Sequence, residues 1–172
     1  MAITVVATPA QLSWSDFRVV DALPDGSGDE AQTATQMPAM EGVQVVSHHG
    51  MYSLPDLTLR VGLNRSETMV IKSASKTSDL LKHEQGHFDI TILAVRALAV
   101  ELQRLKAHSA ASLAQQVKAA IQKHQGFADA IEEKYDSETN NSKNKNAQKD
   151  WNKAIAGALG ASGVLSLQDM PL

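Results

Sequence analysis

Apolar and polar positions alternate with a period near two along the first part of the chain and near 3.6 along the rest, the change falling near residue 76. Before it lie short β-rich runs: "ITVVA", "LSWSDFRVV" with Leu12, Trp14 and Phe17, "EGVQVVSHHGMYSLPDLTLRVGLN" and "ETMVIK". The third run reads as two strands turning near Gly50 or Pro55, and "DALPDGSGDE" reads as a loop punctuated by Pro24, Gly26 and Gly28. After "SASKTSD" the helical period takes over, with Thr77 or Ser78 as N-cap of a helix to about residue 106. A turn at "HSAAS" leads into a second helix over about 109–135, with Leu113, Val117, Ile121, Ala128, Ile131 and Tyr135 on one stripe. "DSETNNSKNKNAQ" is expected to be irregular. A third helix over about 147–159 turns Trp151, Ile155 and Leu159 inward, and residues 161–172 form a tail. These elements predict one α+β domain spanning 1–172: a small antiparallel sheet over 1–75, then a helical hairpin and a third helix over 76–160.

Composition narrows the classes of function. The chain has 172 residues, 43% hydrophobic and 20% charged, with a net charge of −3, which offers no electrostatic footprint for nucleic acid or an anionic membrane. There is no cysteine, so disulfides and thiolate metal sites are excluded. "MAITVVATPAQLSWSDF" reads as a strand and not as a signal peptide, and no apolar run is long enough to span a bilayer.

One segment carries chemistry. "LLKHEQGHFDITILAVRALAVELQRL" is apolar on nearly every side when wound as a helix, which marks a buried helix, yet it carries His83, Glu84 and His87 near its start. Such groups are costly to bury without partners. His83 and His87 fall one turn apart on one face, where both imidazoles reach a single tetrahedral zinc, with Glu84 beside them. A catalytic zinc takes a third protein ligand, keeps a position for water and lowers that water's pKa to about 7. Glu84 then stays out of the coordination shell as general base, passing the water's proton to the leaving amine. The bland alternative is a pair of core histidines with ordinary partners.

The segments "HEQGHFDI" at 83–90, "LSWSDF" at 12–17 and "YDSET" at 135–139, followed by Gln148 and Trp151, resemble a bacterial family of predicted secreted zinc-dependent proteases, long catalogued only as a domain of unknown function. The resemblance implies a zincin-like metallopeptidase, exported or periplasmic, with His83 and His87 as zinc ligands and Glu84 as base. That family often carries His-Gly where this chain has Asn141-Ser142; if that His is a ligand, this chain has lost it.

The third ligand lies further along, since positions 90 and 93 are Ile and Leu. An antiparallel hairpin turning near 108 sets residues near 85 opposite residues near 131, within reach of Asp129, Glu132, Glu133, Asp136 and Glu138. Asp136 is expected first, being also in the stretch that resembles the family, with Glu138 and Glu132 as alternatives and Glu133 as a solvated charge. Tyr135 is expected either to aim its hydroxyl at a developing oxyanion or to be a core tyrosine. His124 reads as a core histidine, His48 and His49 as a surface pair, Trp14 and Trp151 as core anchors. Asp89 points away from the His face, toward a cap or a salt bridge with Arg96. The loop at 25–30 has no EF-hand spacing, so calcium is a weak expectation there.

The function expected is a zinc peptidase acting on a peptide or protein, with the strand "ETMVIK" as the edge that pairs with extended substrate. The alternatives are a non-catalytic or impaired zinc-binding interaction module and, more weakly, a metal hydrolase acting on another amide. Substrate, oligomeric state and regulation are not encoded in any motif here.

Overall fold

The computed structural model describes residues 3–24, 26 and 29–172, and of Gln36 and Met37 only the backbone. The strands β1 (Ile3–Thr8), β2 (Arg18–Val20), β3 (Ala31–Gln32), β4 (Thr35–Glu41), β5 (Val46–His48), β6 (Met51–Ser53), β7 (Leu57–Leu63) and β8 (Met69–Ile71) precede the helices α1 (Ser78–Leu102), α2 (Ala110–Thr139) and α3 (Lys145–Gly160). A short hairpin, β9 (Ser166–Leu167) and β10 (Met170–Pro171), ends the chain. The class is α+β: small sheets, then helices.

The two three-stranded sheets are mixed, not antiparallel as expected, while the β5–β6 and β9–β10 pairs are antiparallel. In the order β1-β7-β4, β1 runs parallel to β7 with Val5 opposite Leu59, and β4 runs antiparallel to it with Met40 opposite Leu59. In the order β2-β8-β3, β2 is parallel to β8 and β3 antiparallel. Alternation along a strand reports which face is buried; it says nothing about the direction of a partner some fifty residues away. The same topology overturns the expected role of "ETMVIK". β8 is the central strand of its sheet, bonded to β2 on one side and β3 on the other, and has no free edge for a substrate.

Other departures are local. Trp14–Asp16 forms a single 3-10 turn with a capping box at Ser13, so the second apolar run becomes a strand only at Arg18. The long run before residue 64 divides into three strands, with a hairpin turn at His49 and Gly50, both at positive φ. The C-terminal stretch is no loose tail, because Leu167 and Leu172 are buried against the helices.

α1 is apolar all round because two cores meet on it. Phe88, Ile92, Val95 and Ala99 pack with Leu57, Leu59 and Val61 of β7. Ile90, Leu93, Ala94 and Ala97 pack with Ala128, Ile131 and Tyr135 of α2 and Trp151 and Ile155 of α3. Thr77 caps α1 by accepting the Leu80 amide at 3.1 Å, and Ser109 caps α2 by accepting the Ser112 amide at 3.1 Å. Among the described residues no helix is long and apolar enough to cross a membrane.

Candidate metal centre

The start of α1 is fixed before any ligand is considered. Leu12 donates its amide to Gln85 Oε1 at 2.7 Å, tying the N-terminal segment to the motif helix. Gly86, inside the motif, lets α2 approach: a Cβ there would stand 2.2 Å from the Tyr135 hydroxyl oxygen and 2.6 Å from its Cζ. Tyr135 is fully buried in that gap, its ring stacked on His83 with centroids 4.7 Å apart. This close approach brings the end of α2 over the two histidines.

α2 runs on to Thr139, through residues expected to be irregular, and Thr139 Oγ1 donates back to the Tyr135 carbonyl at 2.6 Å. The extension keeps Asp136 helical, one turn beyond Glu132. Asp136 Oδ1 then lies 2.9 Å from His87 Nε2 and 3.2 Å from His83 Nε2. One ligand atom from each of His83, His87 and Asp136 lies within 4.8 Å of the others, and the three together can hold a metal ion. Ligand atoms 2.0–2.1 Å from a tetrahedral zinc stand about 3.3 Å apart, close to these spacings.

The surroundings fit a cation. Asp136 Oδ1 is buried, yet no well-directed hydrogen bond reaches it from either ring. Burial works against its charge, but His83 and His87 outweigh burial and hold the carboxyl well below the usual carboxylate range. Burial likewise disfavours charged His87, but Asp136, Glu84 and Glu132 prevail and push it up to about 9. Without a metal, a proton on His87 is the positive charge at the centre; a metal ion would replace it. Two imidazoles and a carboxylate form a borderline donor set suited to zinc.

Glu84 is buried beside the cluster and accepts from Thr33 Oγ1 at 2.6 Å, leaving Oε1 without that bond. Burial pushes its carboxyl up, against the opposing pull of His87, the Thr33 hydrogen bond and His83. Glu132 accepts from Thr91 Oγ1 at 3.2 Å and stands 3.9 Å from His87 Nδ1, beside the ring and outside the ligand group. His83, Glu84, His87, Glu132 and Asp136 line a cleft of about 250 Å³ whose other walls include Ala31, Gln32 and Thr33, Leu80, Lys143, and the Asp29–Asn141 pair.

Two expected site residues point elsewhere. Glu138 accepts from the Trp151 indole N–H at 2.7 Å and is not in the ligand group, because it lies on a different side of α2 from Asp136. Tyr135 donates to the His83 carbonyl at 3.1 Å and does not line the cleft; burial pushes its ionisation far above the ordinary value. Its hydroxyl serves the helix backbone and is turned away from any oxyanion in the cleft.

The remaining residues sort themselves readily. His124 is buried with Nε2 2.8 Å from Glu101, and His48 and His49 lie exposed on the β5–β6 hairpin. Trp151 is buried; Trp14 is half-buried against the core and Phe17. Asp89 accepts from Gln85 Nε2 at 2.8 Å, while Arg96 donates to the Leu159 carbonyl at 2.7 Å. Asp129 and Glu133 are absent from the cleft lining. Of the loop considered for calcium, Asp25, Ser27 and Gly28 lie outside the described residues.

Sequence reasoning assigned no role to Gly86, Thr33 or Gln148. A glycine in an otherwise strong helix was a usable signal of close approach. Thr33 carries no such signal, since its partner lies 51 positions away. Asn141, at the place where the resembling sequences often have His, lines the cleft in a left-handed stretch with Asn140 and Ser142 and donates its amide to Asp29.

No curated protein and no solved structure matches the chain. The family model described as Bacterial protein of unknown function (DUF922) matches residues 44–157, a span that includes both histidines, Glu84 and Asp136, and the chain belongs to that family.

Proposed function

We propose that this protein is a zinc-dependent peptidase in which His83, His87 and Asp136 hold the metal and Glu84 is the base. The observation that carries the reading is Glu84: buried, beside both imidazoles, and lining the same cleft as the three ligand groups. A purely structural site needs no such base. Zinc, when bound, supplies a Lewis acid that polarises a carbonyl and acidifies water. Glu84 takes the proton from the attacking water and delivers it to the leaving amine; the Thr33 hydroxyl holds its other oxygen still through that exchange. A carboxyl raised by burial suits a group that must both accept and release a proton.

An extended peptide is the substrate class that the cleft wall favours. β3 lies at the end of its sheet, and Ala31, Gln32 and Thr33 border the cleft beside Glu84. Main-chain pairing along that edge would hold a peptide across the metal whatever its side chains.

A second reading, a non-catalytic or impaired zinc-binding interaction module, is favoured by one observation: the Tyr135 hydroxyl, a natural oxyanion donor, is spent on the His83 carbonyl. Glu84→Gln separates the two. The expected result is loss of peptide cleavage with zinc content unchanged. Cleavage surviving in that variant would sink the mechanism, and a zinc-loaded wild type that cleaves no peptide would favour the module.

A further inference from the structure

We infer that Gln148, on α3, is a positioning residue that selects the tautomer of His83 in which Nε2 is free to bind metal. The inference rests on the metal reading of the site above. Gln148 is buried, with Oε1 3.0 Å from His83 Nδ1. Its Nε2 donates to the Tyr135 hydroxyl at 2.7 Å and to Asn152 Oδ1 at 2.8 Å.

The direction of each bond follows from what each atom can do. A backbone carbonyl only accepts, so the Tyr135 proton is spent on the His83 carbonyl and the hydroxyl oxygen is left to accept. Its donor is the NH₂ of Gln148, which also meets the accepting oxygen of Asn152. The amide is thereby oriented with its carbonyl oxygen toward His83, and an acceptor there requires N–H at Nδ1. In the neutral imidazole the lone pair then falls on Nε2, so Gln148 acts against Asp136, whose Oδ1 at 3.2 Å would accept from a proton on that same atom. The free histidine side chain slightly prefers the opposite tautomer, and a metal would have to overcome that preference. Partners of this kind, acting on the far nitrogen of a ligating His, contribute about 10–100-fold to metal affinity. The relay begins at the backbone of His83 and returns to its ring, so α1, α2 and α3 must all be docked before the ligand is set.

The test is direct on the metal-free wild type. Long-range ¹H–¹⁵N correlation spectra are expected to show the neutral His83 ring protonated at Nδ1; protonation at Nε2 would overturn the inference without any variant. Gln148→Leu is expected to lose the tautomer preference and weaken zinc binding about 10–100-fold in competition with a chelator. Gln148→Glu keeps an acceptor oxygen toward Nδ1 once the Tyr135 proton turns from the His83 carbonyl to the second carboxylate oxygen, and is expected to restore both. Leucine without effect on either reading, or glutamate failing to rescue in a folded protein, would overturn it. If the wild type binds no zinc, the metal reading falls, yet the tautomer measurement still decides the role of Gln148.

Discussion

Two places along the α1–α2 contact set a buried imidazole against a carboxylate, and they came out differently. Near the end of α1, His124 Nε2 lies 2.8 Å from Glu101 Oε2, and Lys123 donates to the same oxygen. Glu101 is about one-third exposed, and Lys123, above all, holds its carboxyl below the ordinary value. A lysine balances the charge there, and the group is an ion-pair network, with His124 Nδ1 buried and left without a hydrogen-bond partner. At the start of α1, two imidazoles meet Asp136 with Glu84 and Glu132 beside them, and the cation nearest the centre is a proton on His87. Proximity of His to carboxylate therefore does not mark a metal centre. The mark is ligand atoms of three side chains converging on one point, with no Lys or Arg among the described residues paired to the carboxylate.

The comparison breaks if removing a carboxylate has the same consequence at both places. Asp136→Ala is expected to weaken zinc binding by more than about 100-fold, beyond what loss of an outer partner costs, while Glu101→Ala leaves it unchanged. Competition with a chromophoric chelator measures both. Equal affinities would remove Asp136 from the ligand set.

Gly86→Ala attacks the gap that allows α2 over the histidines. The new methyl would overlap the Tyr135 hydroxyl at 2.2 Å, and Tyr135 is fully buried. Destabilisation of about 1–3 kcal/mol is expected, read from the midpoint of urea unfolding. A midpoint unchanged from wild type would mean that Tyr135 can leave its place cheaply.

Proton and metal compete at His87, and this sharpens the contrast. Its value is raised from 6.5 to about 9 in the folded protein, so the ion pair stabilises the metal-free fold below the ordinary value and is lost as pH rises through about 9. Thermal unfolding of the metal-free protein is expected to move to lower temperature over that interval. Zinc must displace the same proton, so zinc affinity is expected to rise with pH up to about 9, by about tenfold per unit for one proton. Affinity flat with pH would show that His87 is already neutral. The smallest effect belongs to the other place: Lys123→Ala is expected to cost less than about 1 kcal/mol, because the lysine is nearly half exposed. A larger loss of stability in urea would show that network to be structural.

How much of this was legible in the sequence depends on the range of the interaction. The helical motif could be read because i and i+4 share a face in any α-helix, and so could the burial of α1, because apolar residues occupy all its sides. The caps at Thr77 and Ser109 were signalled by residue type as well. Asp136 stood first among five carboxylates, but what separates it from Glu138 is the angle of one helix about its axis, fixed by Tyr135 packing over Gly86. Strand direction was misread, since β1 and β7 pair in parallel across most of the sheet region, and β8 was taken for an edge although it is central in its sheet.

By itself, the sequence determined the two histidines, the glutamate beside them and the buried helix that carries them. All of these follow from backbone geometry within a few residues. Only the tertiary structure decided which carboxylate completes the group, that β3 and not β8 borders the cleft, and that Gln148 reaches the far nitrogen of His83. Each of those joins positions tens of residues apart, and such contacts are set by how whole elements pack against one another.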